Sequence, residues 1–595
     1  MSSQKLTLLV SIALLVAGVT SVAAAAASNI TYNVVSLQPD NQTIAVIIDD
    51  QLYPLTSVSK KSQLLHTGDA PAAASGYKYA VIDKANPSTI IDQESFTRDP
   101  VTGDKTLNEY YGRSWNTMNL TQLPTIMDPL PIIDRIETKL HIDGEIPTIH
   151  ITGNQSAIDN MHKEQYADVD VKGLSMTYIS PHDVQSFDDV TLAIAGFSTR
   201  SLPKLSYKVK LSKKGGDLYH YRRFKLRSMA IDISYMREEL AYAIAESIGL
   251  PTGKYSYARV FFNNQPLGLF GFLDNFKNPW PRNVFNGGKK KGFDQGALYK
   301  ASPNYGVNPS LLTDAIGNAT DDSSQPDLNN VKLNSTIQPS KSDLSYLGDN
   351  VTLYTQQYSV SEDPSSGSAN FTRIMDLCKF ISEQSNTTSD SAAVDLWHEK
   401  IDVTSFLRGI AFEIVTSQSD AYLANGNNYM LYDDLENERL VYSNQDFDIS
   451  MGTAFLSAEA MHGGNYSRFP GFLERPLTSR LLAVPEFKRE IHDLVYNFTR
   501  DLVNPDIMNP RIDDLYTFLE QDVAWDKSLP RVGNSSLFEA IAPGFDFDQI
   551  PFMFGINGTL PDSPASNFSI SLKNWLELRS TNLMKFFNET SNQNN

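Results

Sequence analysis

The chain has 595 residues, and its 50 Lys and Arg against 69 Asp and Glu leave a formal charge of −19. Such a chain offers no basic surface large enough to neutralise a run of phosphates, which argues against nucleic acid as the main partner. With 41% hydrophobic and 10% aromatic residues it is a folded acidic protein rather than a disordered one. The lone Cys378 excludes an intramolecular disulfide framework, a Cys-ligated zinc site and an iron–sulfur cluster.

Lys5 precedes an apolar run from Leu6 to Val19, which leads into Ser21-Val22 and the alanines Ala23–Ala27. A charged start, an apolar middle and a small-residue end predict a secretory signal peptide over residues 1–27. Read as a membrane anchor, the strongly apolar part falls short of the ~20 residues a span needs. Asn-x-Ser/Thr sequons recur from Asn29 to Asn588 and predict a glycoprotein on a eukaryotic secretory route. The polar end Phe586–Asn595 lacks the hydrophobic tail of a GPI signal. The expected location is therefore secreted or at a cell or spore surface, with no transmembrane segment in the mature chain.

Short alternating stretches such as Ile44–Ile48 and Tyr79–Ile82, separated by Pro, Gly, Asn and Asp clusters, predict a β-rich accessory domain over residues 28–160. A second strand-rich block spans about 168–228. After it, Met236, Leu240, Ala243, Ile244 and Ile248 keep a helical period, with Asp232 or Ser234 as N-cap and Gly249 and Pro251 as the stop. Ala258–Phe262 and Gly268–Phe272 flank Asn263–Pro266 as a hairpin. Residues of about 301–370, rich in Ser and Asn, read as a surface insertion, and helical periodicity returns from Val403 onward. The order is β-rich first and mainly helical after, an α+β two-lobe pattern.

The segment that carries chemistry is Asp420, Asn425 to Asn428, then Asp446-Phe447-Asp448 after a strand. An acid, an amide a few residues on and a second acid is how kinase-type phosphotransferases place a hydroxyl-orienting carboxylate beside metal ligands. Magnesium takes carboxylate and amide oxygens, so Asp446, Asn428 and Asp448 are the expected ligands. Upstream, Gly196-Phe197-Ser198-Thr199-Arg200 and the basic Lys204 and Lys208 form a turn and strand able to meet phosphate oxygens.

The ordered set Gly196, Arg200, Lys204, Ser206-Tyr207, Asp232-x-Ser234-x-Met236-Arg237, Asn263 with Gly268, Asp420, Asn428-Tyr429 and Asp446-Phe447-Asp448 resembles the CotH kinase family. That family comprises atypical kinases named after a bacterial spore-coat protein. The resemblance covers roughly 190–500 and implies an atypical protein-kinase-like fold, ATP and Mg²⁺ (or Mn²⁺) as cofactors, and phosphorylation of protein Ser/Thr. Asp420 and Asp446 would then be the catalytic acids, with Gly196, Ser198, Arg200, Lys204, Lys208 and Arg237 on the nucleotide. Similar secreted or surface proteins of mucoralean fungi are implicated in host-cell invasion, so the alternative is a catalytically weak or inactive invasin that binds a host or cell-wall partner.

Three departures from the family pattern stand in this sequence: Ala195 precedes Gly196 where Arg is usual, Asp274 replaces Glu, and Asn425-Gly426-Asn427 lengthens the interval to Asn428. Asn425 or Asn428 could supply the metal-binding amide. The expected layout is a kinase-like domain over 161–500 and a helical extension with a polar tail over 501–595.

Overall fold

The computed structural model describes residues 28–57, 62–196, 198–303, 341–385, 391–453, 456–536, 539, 546–559 and 569–593. The expected signal peptide, Phe197 and much of the expected insertion lie outside the described residues. The chain divides into two compact units, Met1–Val58 with Leu65–Ser114, and Ser59–Leu64 with Trp115–Asn595.

The first unit holds strands β1 (Asn29–Val35), β2 (Gln42–Ile48), β3 (Gln51–Pro54), β4 (Thr56–Ser57), β5 (Leu65–Pro71), β6 (Lys78–Asp83), β7 (Ile90–Gln93) and β8 (Lys105–Tyr110). They form two four-stranded sheets, β4-β5-β1-β8 and β3-β2-β6-β7, which share one core of Tyr32, Val34, Ile44, Val46 and Tyr79.

The second unit opens with β9 (Thr148–Thr152), which the sequence reading had grouped with the first. Here β9 pairs antiparallel with β10 (Asp170–Ile179) and parallel with β14 (Tyr255–Phe262). Those pairings close a seven-stranded barrel with β11 (Val184–Ile194), β12 (Tyr207–Lys210), β13 (Arg223–Arg227) and β15 (Gln265–Asp274). Strict alternation along β12 and β13 sends Tyr207, Val209, Phe224 and Leu226 into the barrel core with Phe270 and Phe272. Each such buried side chain contributes about 1.5–3 kcal/mol. The same alternation turns Lys208, Lys210, Arg223, Lys225 and Arg227 outward. The predicted hairpin is β14–β15, turning at Asn263 with φ +48°.

A four-stranded sheet, β17-β16-β18-β19, follows, built from β16 (Leu298–Ala301), β17 (Tyr358–Glu362), β18 (Tyr429–Asp434) and β19 (Arg439–Asn444). Helices Val403–Thr416, Pro485–Asp501, Pro505–Ser528 and Leu572–Gln593 complete a mixed α+β architecture. The Val403–Thr416 helix is apolar on nearly all sides and is buried between this sheet and the Pro485–Asp501 helix. Asp402 caps its start by accepting from Ser405 N at 2.8 Å, and Ser417 ends it in the left-handed region at φ +53°. That stop delivers Gln418-Ser419-Asp420 to the end of the sheet. Among the described residues no helix is long and apolar enough to cross a membrane.

Candidate functional site

Three segments converge between the barrel and the sheet. The first is the loop 417–428. Asp420 accepts from three amides: Asn425 Nδ2 at 2.6 Å and Asn427 Nδ2 at 3.3 Å on Oδ1, and Asn428 Nδ2 at 2.9 Å on Oδ2. Asn428, itself at φ +49°, also donates to the Asp420 carbonyl at 2.7 Å. Burial pushes the Asp420 carboxyl above its ordinary range, the Asn425 and Asn427 amides pull it back, and Asp448 adds to the rise. The residues that lengthen this loop relative to a kinase loop thus hold the acid in place.

The second segment is the turn after β19. Asp446 sits at φ +59°, a conformation that non-glycine residues adopt only when neighbours fix it. Gln418 Nε2 donates to its carbonyl at 3.2 Å, and Gln445 N donates to Asn428 O at 3.1 Å, so the two loops are tied together. Phe447 is buried against Tyr242 and Phe412, which turns Asp446 and Asp448 to the same side.

The third is the outer face of β12 and β13. Lys208 lies directly opposite Lys225, and Lys210 opposite Arg223. Like charges facing each other across a ladder oppose folding unless an anion offsets them. Lys225 Nζ reaches Asp446 Oδ2 at 3.4 Å, and Arg227 contacts Asp446 and, at 3.3 Å, Asp448. Arg227 in turn donates to Glu238 at 2.9 Å from Nε. Burial pulls the Lys225 ammonium down to about 8, with Arg227 adding to the fall. Lys300 on β16 falls to about 8 as well, through desolvation and then the fields of Lys225, Lys208 and Lys277. Lys208, Lys225, Arg227, Lys277 and Lys300 therefore act on one another here, and Lys225 and Arg227 meet the acids.

Of the residues expected at the site, Asp420, Asn428, Asp446, Asp448 and Lys208 come together. Others do not join them. Arg200 folds back on its own turn, donating to Gly196 O at 2.9 Å, Ala167 O at 3.0 Å and Asp168 at 2.6 Å. Gly196 has φ +82°, which explains the glycine without a ligand. Lys204 is a correction: it is buried and pairs with Asp526 at 2.7 Å and Leu269 O at 2.6 Å. Arg237 is another: it is fully buried, on Asp232, Met451 O and Ile570 O. The Ser198 side chain lies outside what is described. Glu238 takes Arg227 rather than Lys225. Lys225 and Lys300 instead stand in the same cluster of cations as Lys208, and alternation along β13 was the available signal for the first.

The family described as CotH kinase protein matches residues 192–529, more than half of the chain. Curated relatives from Rhizopus delemar extend the likeness to nearly the full length. "Invasin CotH3" is 26% identical over 94% of this chain and 85% of its own, and "Invasin CotH2" is 25% identical over 96% and 86%. "Spore coat protein homolog 1" is 21% identical over 80% and 68%. By that match over more than half of its length, the chain belongs to the CotH kinase protein family.

Proposed function

We propose that the cleft is the nucleotide site of a kinase-like phosphotransferase that moves the γ-phosphoryl group of ATP to protein Ser/Thr hydroxyls, the barrel and the helical body acting as its two lobes. The observation that carries this reading is the row of cations, Lys208, Lys225 and Lys300, set against Asp446 and Asp448. Phosphate oxygens would offset the repulsion of Lys208 and Lys225 across the ladder. The donor set suits Mg²⁺ or Mn²⁺: two carboxylates, Asp446 and Asp448, and the amide oxygen of Asn428, whose N–H₂ is already used on Asp420. Among the described residues no three acidic, His or Cys side chains converge on one point. Phosphate oxygens and water would supply the remaining ligands. Gln418 Oε1, buried without a hydrogen-bond partner beside this turn, is a further unsatisfied oxygen there. A divalent ion bound there supplies charge to offset that of the terminal phosphates.

Asp420 aligns the acceptor hydroxyl. Its amide cage fixes the carboxylate, and its raised affinity for a proton suits it to accept one as the hydroxyl attacks. The test uses purified full-length protein with γ-labelled ATP and Mg²⁺ or Mn²⁺. Transfer to itself or a generic acceptor is expected in the wild type and lost, by at least about a hundredfold, in Asp446→Asn and Asp420→Asn. Folded wild-type protein without label would sink the reading.

One observation favours a second reading. The likeness to the two invasins spans the first unit as well as the family's own span. In that reading the chain is a secreted or surface-held protein that binds a host-cell or cell-wall partner. Every sequon asparagine among the described residues is exposed or half-exposed, which supports the secretory route. Asp446→Asn would leave such binding intact.

A further inference from the structure

Three residues of the turn after β19 and its continuation take positive φ: Asp446 at +59°, Met451 at +46° and Gly452 at +91°. Each has its carbonyl held. Gln418 Nε2 holds that of Asp446 at 3.2 Å, Arg237 Nε that of Met451 at 3.0 Å, and Ile570 N that of Gly452 at 2.7 Å. All three grips therefore come from outside the turn in sequence, and the last two are joined to each other. Arg237 Nη2 donates to Ile570 O at 2.7 Å, while Nη1 donates to Asp232 at 2.7 Å.

Ile570 belongs to a strap, described over 569–571, that runs into the Leu572–Gln593 helix, beyond the residues matched by the family. Ser569 bridges Thr453 antiparallel, and their hydroxyls lie 3.2 Å apart. Trp575 packs where a Gly452 side chain would go, its Cβ 2.9 Å from the position a Cβ would take, and its Nε1 donates to Met461 O at 3.0 Å. Arg579, fully buried, donates to Gly463 O and to Ile414 O near the end of the Val403–Thr416 helix. The strap and its helix thus grip the turn 446–453 and the end of the helix that leads into the Asp420 loop.

We propose that Arg237 is a positioning residue: its buried guanidinium ties the C-terminal strap to the turn 446–453 and so holds Asp446 and Asp448 in their cation-facing conformation. The strap is then part of the site although it lies outside the family's span. A planar fork is required, because acceptors on three segments are met at once; a lysine ammonium offers charge without that reach. Bonds to a charged donor in a buried setting are the strong ones, and backbone at positive φ relaxes when its fixing contacts go. The positioning role stands on these contacts, and only its consequence for metal and nucleotide rests on the proposed function.

Hydrogen exchange on the full chain without ligand tests it. Arg237→Lys keeps the charge beside Asp232 but not the fork, and Ile570→Pro removes the N–H that holds Gly452 O while keeping the carbonyl that Arg237 meets. Both are expected to speed exchange at the Met451 and Thr453 amides by about tenfold or more, while the barrel strands stay protected. If Arg237→Lys does not fold, Ile570→Pro decides alone. Exchange at 446–453 within twofold of wild type in the folded variant overturns the proposal.

A second arm titrates Mn²⁺ with ATP by electron spin resonance, and about tenfold weaker binding is expected in each variant. Faster exchange with no Mn²⁺ binding by the wild type would uphold the positioning role while removing the nucleotide reading. Faster exchange with unchanged Mn²⁺ affinity would overturn the link between strap and acids.

Discussion

Glu413 is fully buried in the middle of the Val403–Thr416 helix, and its carboxylate takes Tyr442 Oη at 2.6 Å, Asn444 Nδ2 at 3.1 Å and Leu423 N at 2.8 Å. Burial outweighs these bonds and pushes its pKa up to about 7. The folded protein therefore holds this proton more tightly than the unfolded chain does, and stability falls as pH rises from about 4.5 to about 7, by roughly 3 kcal/mol in all. Glu413→Gln removes that titration. Urea unfolding of both proteins at pH 4.5 and pH 8 should show the wild type losing stability relative to the variant; parallel profiles would mean the carboxylate is solvated or paired. Residues of this kind also mark the limit of the sequence. Asp420, Asn428, Asp446 and Asp448 are legible from acid–amide–acid order, because chemistry confines them to those residue types. Arg200, Lys204 and Arg237 show only a charge in sequence. What each guanidinium or ammonium touches is decided by residues 32, 322 and 333 positions away, Asp168, Asp526 and Ile570.

At the scale of elements, the Pro505–Ser528 helix shows how the barrel is fixed to the helical body. Asp522 takes Arg259 of β14 through two bonds of 2.7 Å. One turn on, Asp526 takes Lys204 at 2.7 Å, Tyr235 Oη at 2.8 Å, Leu269 N at 2.9 Å and Arg531 at 3.1 Å. Both acids are wholly buried. A buried pair gains little over an apolar isostere, but removing one partner strands the other, at a cost of about 3–5 kcal/mol. Asp526→Asn should lower the stability of the second unit by that amount in guanidinium unfolding, and a loss below about 1 kcal/mol would show that water reaches Lys204. The helix at 237–247 and the β14–β15 hairpin were readable because their signals are local: an apolar period of 3.6 and a turn of Asn and Pro between alternating strands. The N-cap is Met236 rather than Asp232 or Ser234, and Asp232 accepts from Arg237 N at 2.8 Å from five residues upstream. Barrel closure was not readable. Its decisive pairing sets Arg259 against Thr148, and no composition or period in either strand names so distant a partner.

For the molecule as a whole, the proposed function raises the question of how an anionic nucleotide would approach a chain of charge −19 through a local cluster of cations. The two fields have different ranges. The net charge acts over the dimensions of the protein, whereas Lys208, Lys225 and Lys300 act on a ligand already within a few ångströms. At 10 mM salt the screening length is about 30 Å, and the repulsion of the whole chain reaches an incoming nucleotide; at 150 mM it is about 8 Å, and only the cleft is felt. Contacts inside the cleft survive that screening because they are short and partly desolvated. The association rate of a fluorescent ATP analogue should therefore rise between 10 and about 150 mM salt and fall only at higher concentrations, where added ions compete for the lysines. A cleft in a neutral or basic protein would show a fall throughout. Stopped-flow mixing of the full-length protein measures it directly. A rate that declines from the lowest salt onward would mean that the acidic surface lies too far from the entrance to matter; a rise that disappears in Lys225→Met and Lys300→Met would leave the global charge without a cleft to oppose it.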